Sequence, residues 1–122
     1  MSDEAPVRQQ ITFGKFENVD LRVARVVSAA LAEGTRSPSR VLELDLGHLG
    51  SRTSVGQYAL ISESELVGRN VVACVNLGPR PIGTYVSEVL VLGAAHPDSP
   101  SDQKQATPLF VSSDVPPGSR IF

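Results

Sequence analysis

Apolar and polar positions along the 122 residues change rhythm several times. Val41 to Leu46 alternates cleanly, with Leu42, Leu44 and Leu46 on one face and Glu43 and Asp45 on the other. A period of two predicts a half-buried antiparallel strand. Upstream, Asp20 to Ala30 is rich in β-branched residues. Its alternation sets Leu21 and Val23 against Arg22, then breaks at Val26-Val27, which predicts a β-bulge or a strong bend. Residues 33–40 between these strands form a loop, residues 47–50 a turn, and Ser51 to Tyr58 a third, more polar strand. Ser62-Glu63-Ser64-Glu65 has capping-box spacing, and Gly68 stands where a C-terminal glycine stops a helix, so a short helix is predicted over 62–67. Val71 to Val75 is a near-continuous apolar run and predicts a central strand; Tyr85 to Leu92 predicts the next.

The ends add shorter pieces. Residues 1–11 are expected to be a flexible lead, and residues 12–122 one domain with a C-terminal extension. Thr12 to Asn18 predicts a turn or single-turn helix that docks Phe13 and Phe16. Residues 94–106, polar with two prolines, are expected to be a flexible loop. Pro108 to Val111 predicts a short strand, and Pro116-Pro117-Gly118 a turn into Arg120-Ile121-Phe122. Three strands, a short helix and two further strands are the order of an all-β, five-stranded Greek-key barrel of the OB type, its helix between strands three and four. The length suits one domain with a single core.

Composition narrows the function classes. The net charge is −2, with 11 Lys and Arg against 13 Asp and Glu, which argues against nucleic-acid binding by bulk positive charge. Four Phe, two Tyr and no Trp are a poor supply of stacking platforms for single-stranded nucleic acid. The central stretch 15–93 is neutral, and all its cations except Lys15 are arginines, which fork onto carboxylate or phosphate as Lys does not. The single cysteine, Cys74, sits in an apolar run and is expected to be a packed core thiol. The N-terminus lacks the apolar segment of a signal peptide and no run reaches membrane-spanning length, so a cytoplasmic protein without membrane insertion is expected.

No catalytic constellation stands out, and an enzyme is not expected. His48 and His96 lack a second ligand at metal-binding spacing, so neither metal nor cofactor is expected. Ser101-Asp102-Gln103-Lys104 matches the Ser-x-x-Lys spelling by chance, in a loop that would not preorganise a nucleophile. The arginines are better candidates. Arg36 and Arg40 lie in the loop joining strands one and two, and Arg80 in the loop joining strands four and five; in an OB barrel these loops border the usual ligand face. Arg22 lies on the first strand. Either these arginines line an anion- or carbonyl-binding cleft, or they are surface groups paired with Glu33, Glu43, Asp45 or Glu88. Pro79 and Pro81 stiffen the backbone around Arg80, and a rigid loop presenting one Arg lowers the entropy cost of binding.

Three segments taken in order resemble a known family: Asp20-Leu21-Arg22-Val23, then Asn76-Leu77-x-Pro79-Arg80-x-Ile82, then Ser87-Glu88-Val89-Leu90-Val91-Leu92-Gly93. Together they are similar to the tRNA-binding OB domain, which occurs free-standing and attached to aminoacyl-tRNA synthetases. The last segment is similar to the CsaA branch of export-related chaperones. The resemblance covers roughly residues 13–94 and implies a two-fold homodimer to which the terminal segments contribute. It implies two ligand classes, unfolded or precursor polypeptides and structured RNA such as tRNA. By position it implies that Arg22, Asn76, Arg80, Ser87 and Glu88 line the site, with Arg36 and Arg40 in a loop that departs from the family's usual Pro-x-Ala-Asp-Lys-like sequence. The mild acidity tilts the expectation toward polypeptide.

Overall fold

A computed structural model describes residues 4–122; the first three residues of the expected lead lie outside the described residues. Residues 4–11 have no regular secondary structure and are exposed. Helix α1 (Phe13–Glu17) follows, capped by the Thr12 hydroxyl, which accepts from the Lys15 amide at 3.2 Å. Then come β1 (Leu21–Leu31), β2 (Arg40–Asp45), a 3-10 turn at Gly47–Leu49 and β3 (Ser51–Gly56). Helix α2 (Glu63–Leu66) leads to β4 (Asn70–Cys74), β5 (Arg80–Ile82), β6 (Tyr85–Ser87) and β7 (Leu90–Val91). The chain closes with β8 (Gly93–Ala95), β9 (Ala106–Pro108), β10 (Phe110–Val111) and β11 (Arg120–Ile121).

The strands make an all-β OB barrel. β1 pairs antiparallel with β2 along its second half and with β4 along its first half; β2 pairs with β3, and β4 with β7. The expected break in β1 is a register shift between Val26 and Ser28, which turns Val27 out to 58% exposure. That bulge lets one strand bend through both halves of the barrel. The remaining seam, between β3 and residues 87–88, is closed partly by side chains. The Glu88 amide donates to the Thr53 carbonyl at 2.8 Å, and the Thr53 amide donates back to Glu88 Oε1 at 2.8 Å. The Val55 amide donates to the Ser87 hydroxyl oxygen at 3.0 Å. Leu42, Leu44, Leu46, Val71, Ala73, Val89 and Val91 fill the interior, and Leu66 of α2 joins the same buried cluster. Half of the anticipated α2 capping box forms, the Glu65 amide donating to Ser62 Oγ, while Glu65 Oε1 accepts from the Ser62 hydroxyl instead of the Ser62 amide.

Four local expectations are corrected. Tyr85 to Leu92 is not one strand: β6 ends at Ser87 and β7 starts at Leu90, because Val89 turns into the core and Ser87 Oγ donates to its carbonyl at 2.9 Å. Residues 94–106 are not an unstructured loop: β8 pairs with β9, and the Gln105 amide group donates to the Pro38 carbonyl and accepts from the Ala59 amide. Phe13 and Phe16 do not dock; they are 73% and 43% exposed, on a helix without a buried residue. Arg80 begins β5 instead of lying in an open loop, and Arg40 begins β2. Among the described residues no helix is long and apolar enough to cross a membrane.

Candidate binding cleft

A cleft of about 550 Å³ opens beside β3. One wall is the loop from Thr35 to Ser39; the other is hairpin β5–β6 together with Leu90 to Gly93, and Ser54 to Tyr58 line it between them. The hairpin is built for a fixed approach. Arg80 pairs with Ser87 and Ile82 with Tyr85, and Gly83, at φ +59°, takes the first place of the two-residue turn that this geometry requires. Pro79 and Pro81 fix the backbone on either side of Arg80.

Arg36 and Arg80 both line this cleft, and no carboxylate does. Among the described residues, one buried side-chain polar atom lacks a hydrogen-bond partner: Nη2 of Arg80. A buried guanidinium donor without an acceptor is costly unless something satisfies it. Ile82, Leu90 and Leu92 give the cleft an apolar side. Tyr58, also at the lining, is buried and donates to the Val91 carbonyl at 2.7 Å. Burial pushes its phenol up to about 12.

The other five predicted residues lie elsewhere. Arg40 is only 8% exposed, with Nε on the Ile61 carbonyl at 2.9 Å and Nη1 on the Ala29 carbonyl at 2.7 Å. Ser87 and Glu88 hold the barrel seam. Arg22 forks onto Asp20, Nε to Oδ1 at 2.7 Å and Nη2 to Oδ2 at 3.3 Å, and donates from Nη1 to the Gly118 carbonyl. Hydrogen bonding to Arg22 holds the Asp20 carboxyl below the usual range against an opposing effect of burial. Asn76 accepts from the Asp20 amide at 2.9 Å and donates to the Asn18 carbonyl at 2.7 Å, fixing the joint between α1 and β1. None of Arg36, Arg40 and Arg80 forms an ion pair with Glu33, Glu43, Asp45 or Glu88; the ion pairs among the described residues are Arg22–Asp20 and Arg120–Asp20.

Asn76 and Asp20 border a second groove, of about 450 Å³, together with Phe13, Phe16, Val19 and Phe122. The seven predicted residues thus divide: two in the cleft, one at this groove with Arg22 bound to its Asp20, and three in structural bonds of the barrel. Sequence reasoning missed Tyr58 and Gln57 at the cleft and Gln105 behind it. Tyr58 lies where alternation along the third strand fades, and nothing local marks Gln105 within a polar stretch.

Residues 21–120 match the family model described as "Putative tRNA binding domain". The chain belongs to the tRNA-binding domain family. This domain shares 37% identity over 122 residues with a methionine--tRNA ligase of Thiobacillus denitrificans and 31% over 114 residues with that of Clostridium tetani. Those alignments take in 97% and 93% of the chain, which spans only 17% of the length of each ligase. Among solved structures, the tRNA-binding domain here is similar to the chaperone CsaA of Bacillus anthracis, with a TM-score of 0.79 and 31% identity. A CsaA chaperone protein from Picrophilus torridus gives 0.82 and 28%. Both alignments cover 93% of this chain and all of the other, and the domain is of the CsaA type.

Proposed function

We propose that the protein is a non-catalytic, cytoplasmic binding protein of CsaA type whose cleft holds unfolded or precursor polypeptides, as in protein export, and which works as a homodimer. The observation that carries this is the buried, unpartnered Nη2 of Arg80 beside an apolar wall. An extended polypeptide supplies both complements: carbonyl or carboxylate oxygens for Arg80 and Arg36, and apolar side chains for Ile82, Leu90 and Leu92. Similarity to the CsaA chains over their whole length supports it as well.

A second reading is tRNA recognition by shape and phosphate contacts. The family description and the ligase relatives favour it. Two arginines without a neighbouring carboxylate suit phosphate too.

Titration against total tRNA and against reduced, carboxymethylated lactalbumin at two salt concentrations decides between them. Polypeptide binding that survives added salt supports the first; RNA affinity that falls steeply with salt supports the second. Arg80→Ala is expected to weaken the bound ligand about tenfold or more while leaving the melting temperature within a few degrees, because a charge-assisted bond is lost and no internal partner is orphaned. Unchanged affinity for both ligands would mean that the cleft is not the site.

A further inference from the structure

The two elements that carry the cleft arginines touch each other at their tips. The Glu33 amide donates to the Tyr85 hydroxyl oxygen at 3.1 Å. Beside that bond the backbones come close: a Cβ on Gly83 would lie 3.2 Å from the Gly34 carbonyl oxygen and 3.6 Å from Thr35 Cγ2. Both glycines sit at positive φ, +72° for Gly34 and +59° for Gly83. A side chain at Gly83 would press on the Gly34 carbonyl, whereas at Gly34 the space is open and the positive φ alone favours glycine. The contact borders the cleft, since Thr35, Arg36 and Ile82 all line it. Among the described residues, no other hydrogen bond joins residues 32–39 to residues 80–87.

We infer that Tyr85 is a positioning residue of the cleft: its hydroxyl ties the Arg36 loop to the hairpin and so fixes the separation of Arg36 and Arg80. The inference rests on the polypeptide-binding function and deepens it. Arg80 is held by flanking prolines and a strand ladder, whereas Arg36 is exposed on a loop. The Arg36 loop has its own internal bonds, Thr35 Oγ1 and Ser39 Oγ both donating to the Ser37 carbonyl. Those set its shape but not its distance from the hairpin. Gln105 anchors the loop's far end at the Pro38 carbonyl, and the Glu33–Tyr85 bond is the hydrogen bond that ties the loop to the hairpin itself. A ligand spanning both arginines binds more tightly when their spacing is set beforehand, because ordering the loop no longer opposes binding.

Tyr85→Phe keeps the ring and removes the acceptor. In the free protein, hydrogen exchange at the Glu33 amide is expected to accelerate about tenfold, the scale of one lost hydrogen bond. Unchanged exchange at Glu33 would overturn the clasp. The affinity for reduced, carboxymethylated lactalbumin is expected to fall about threefold to tenfold in Tyr85→Phe, on the same scale. In an Arg36→Ala background the same substitution is expected to add nothing, since the arginine being positioned is gone. An equal loss in both backgrounds would overturn the positioning role, leaving Tyr85 a direct or merely structural contact. If the unaltered protein fails to bind the reporter, the polypeptide function fails, and Glu33 exchange still decides whether the clasp exists.

Discussion

The hydroxyl of Ser87 stands in for a strand: its oxygen accepts from the Val55 amide at 3.0 Å where a backbone carbonyl would be expected in a continuous ladder. The same hydroxyl donates to the Val89 carbonyl, so one fully buried side chain satisfies two backbone groups at the barrel's last seam. Ser87→Ala leaves a buried amide and a buried carbonyl unpaired. The expected loss is about 1–3 kcal/mol in urea unfolding. Ser87→Thr, which keeps the hydroxyl, should recover part of it. A Ser87→Ala protein as stable as the parent would show that water or a shifted strand replaces the bond.

Arg40 and Arg36 are four residues apart and should behave oppositely. Arg40 is buried with its guanidinium on two backbone carbonyls from different segments. Its truncation orphans both, and Arg40→Ala should cost about 2–3 kcal/mol of stability, as for hydrogen bonds to a charged group. Arg36 is exposed at the cleft. Arg36→Ala should leave stability within about 0.5 kcal/mol and act on ligand affinity alone. Equal losses of stability in the two variants would contradict this division.

These two arginines also mark the limit of what the sequence reveals. Periodicity located β1, β2 and β4 and the bulge after Val26, because each depends on which face meets the core and that pattern is local. The capping box found α2 for the same reason. What periodicity could not resolve was where a polar side chain finds its partner. Arg36 and Arg40 share one loop sequence, yet Arg40 falls one position inside a strand and turns in toward carbonyls of Ala29 and Ile61. Ser87 and Glu88 lie among residues that suggest a site, but their partners, Val55 and Thr53, are more than thirty residues away. Gln105 was hidden more deeply: its side chain bonds Pro38 and Ala59, both more than forty residues away. The place of Arg80 at the cleft wall was easier to foresee, because two flanking prolines announce a fixed backbone, a signal carried by the chain itself.

Tyr58 is expected to set an alkaline limit to stability. Its phenol is pushed up to about 12 by burial, against about 10 in an unfolded chain. A folded-state value above the unfolded one stabilises the fold below pH ~10 and loses that contribution as pH rises toward 12. The two-unit difference corresponds to at most about 2–3 kcal/mol. Stability from urea unfolding should therefore be steady from neutrality to about pH 10 and decline above it. Tyr58→Phe should be less stable at neutral pH, through loss of the bond to the Val91 carbonyl, and should decline less on the alkaline side. A parallel decline in both proteins would assign the alkaline limit to other groups.

The groove bordered by α1 and the C-terminus presents apolar surface that the other described residues leave uncovered. α1 has five residues and no buried side chain, and the Phe13 and Phe16 rings lie 6.2 Å apart at its surface beside the exposed Phe122. A helix this short is not stable on its own propensity; the Thr12 cap and the Asn76 bond to the Asn18 carbonyl hold its ends, and the proposed homodimer would pack a second surface on its exposed face. In a two-fold homodimer the same patch on each copy meets its counterpart, and one set of aromatic residues covers both helices. Light scattering should then give a mass twice the 13.0 kDa of the chain. The double substitution Phe13→Ser, Phe16→Ser should bring it to the monomer value without changing the β-sheet circular dichroism, because neither ring supports the barrel core. A double variant that remains dimeric would place the interface elsewhere, and a monomeric parent at micromolar concentration would remove the dimer from the proposal.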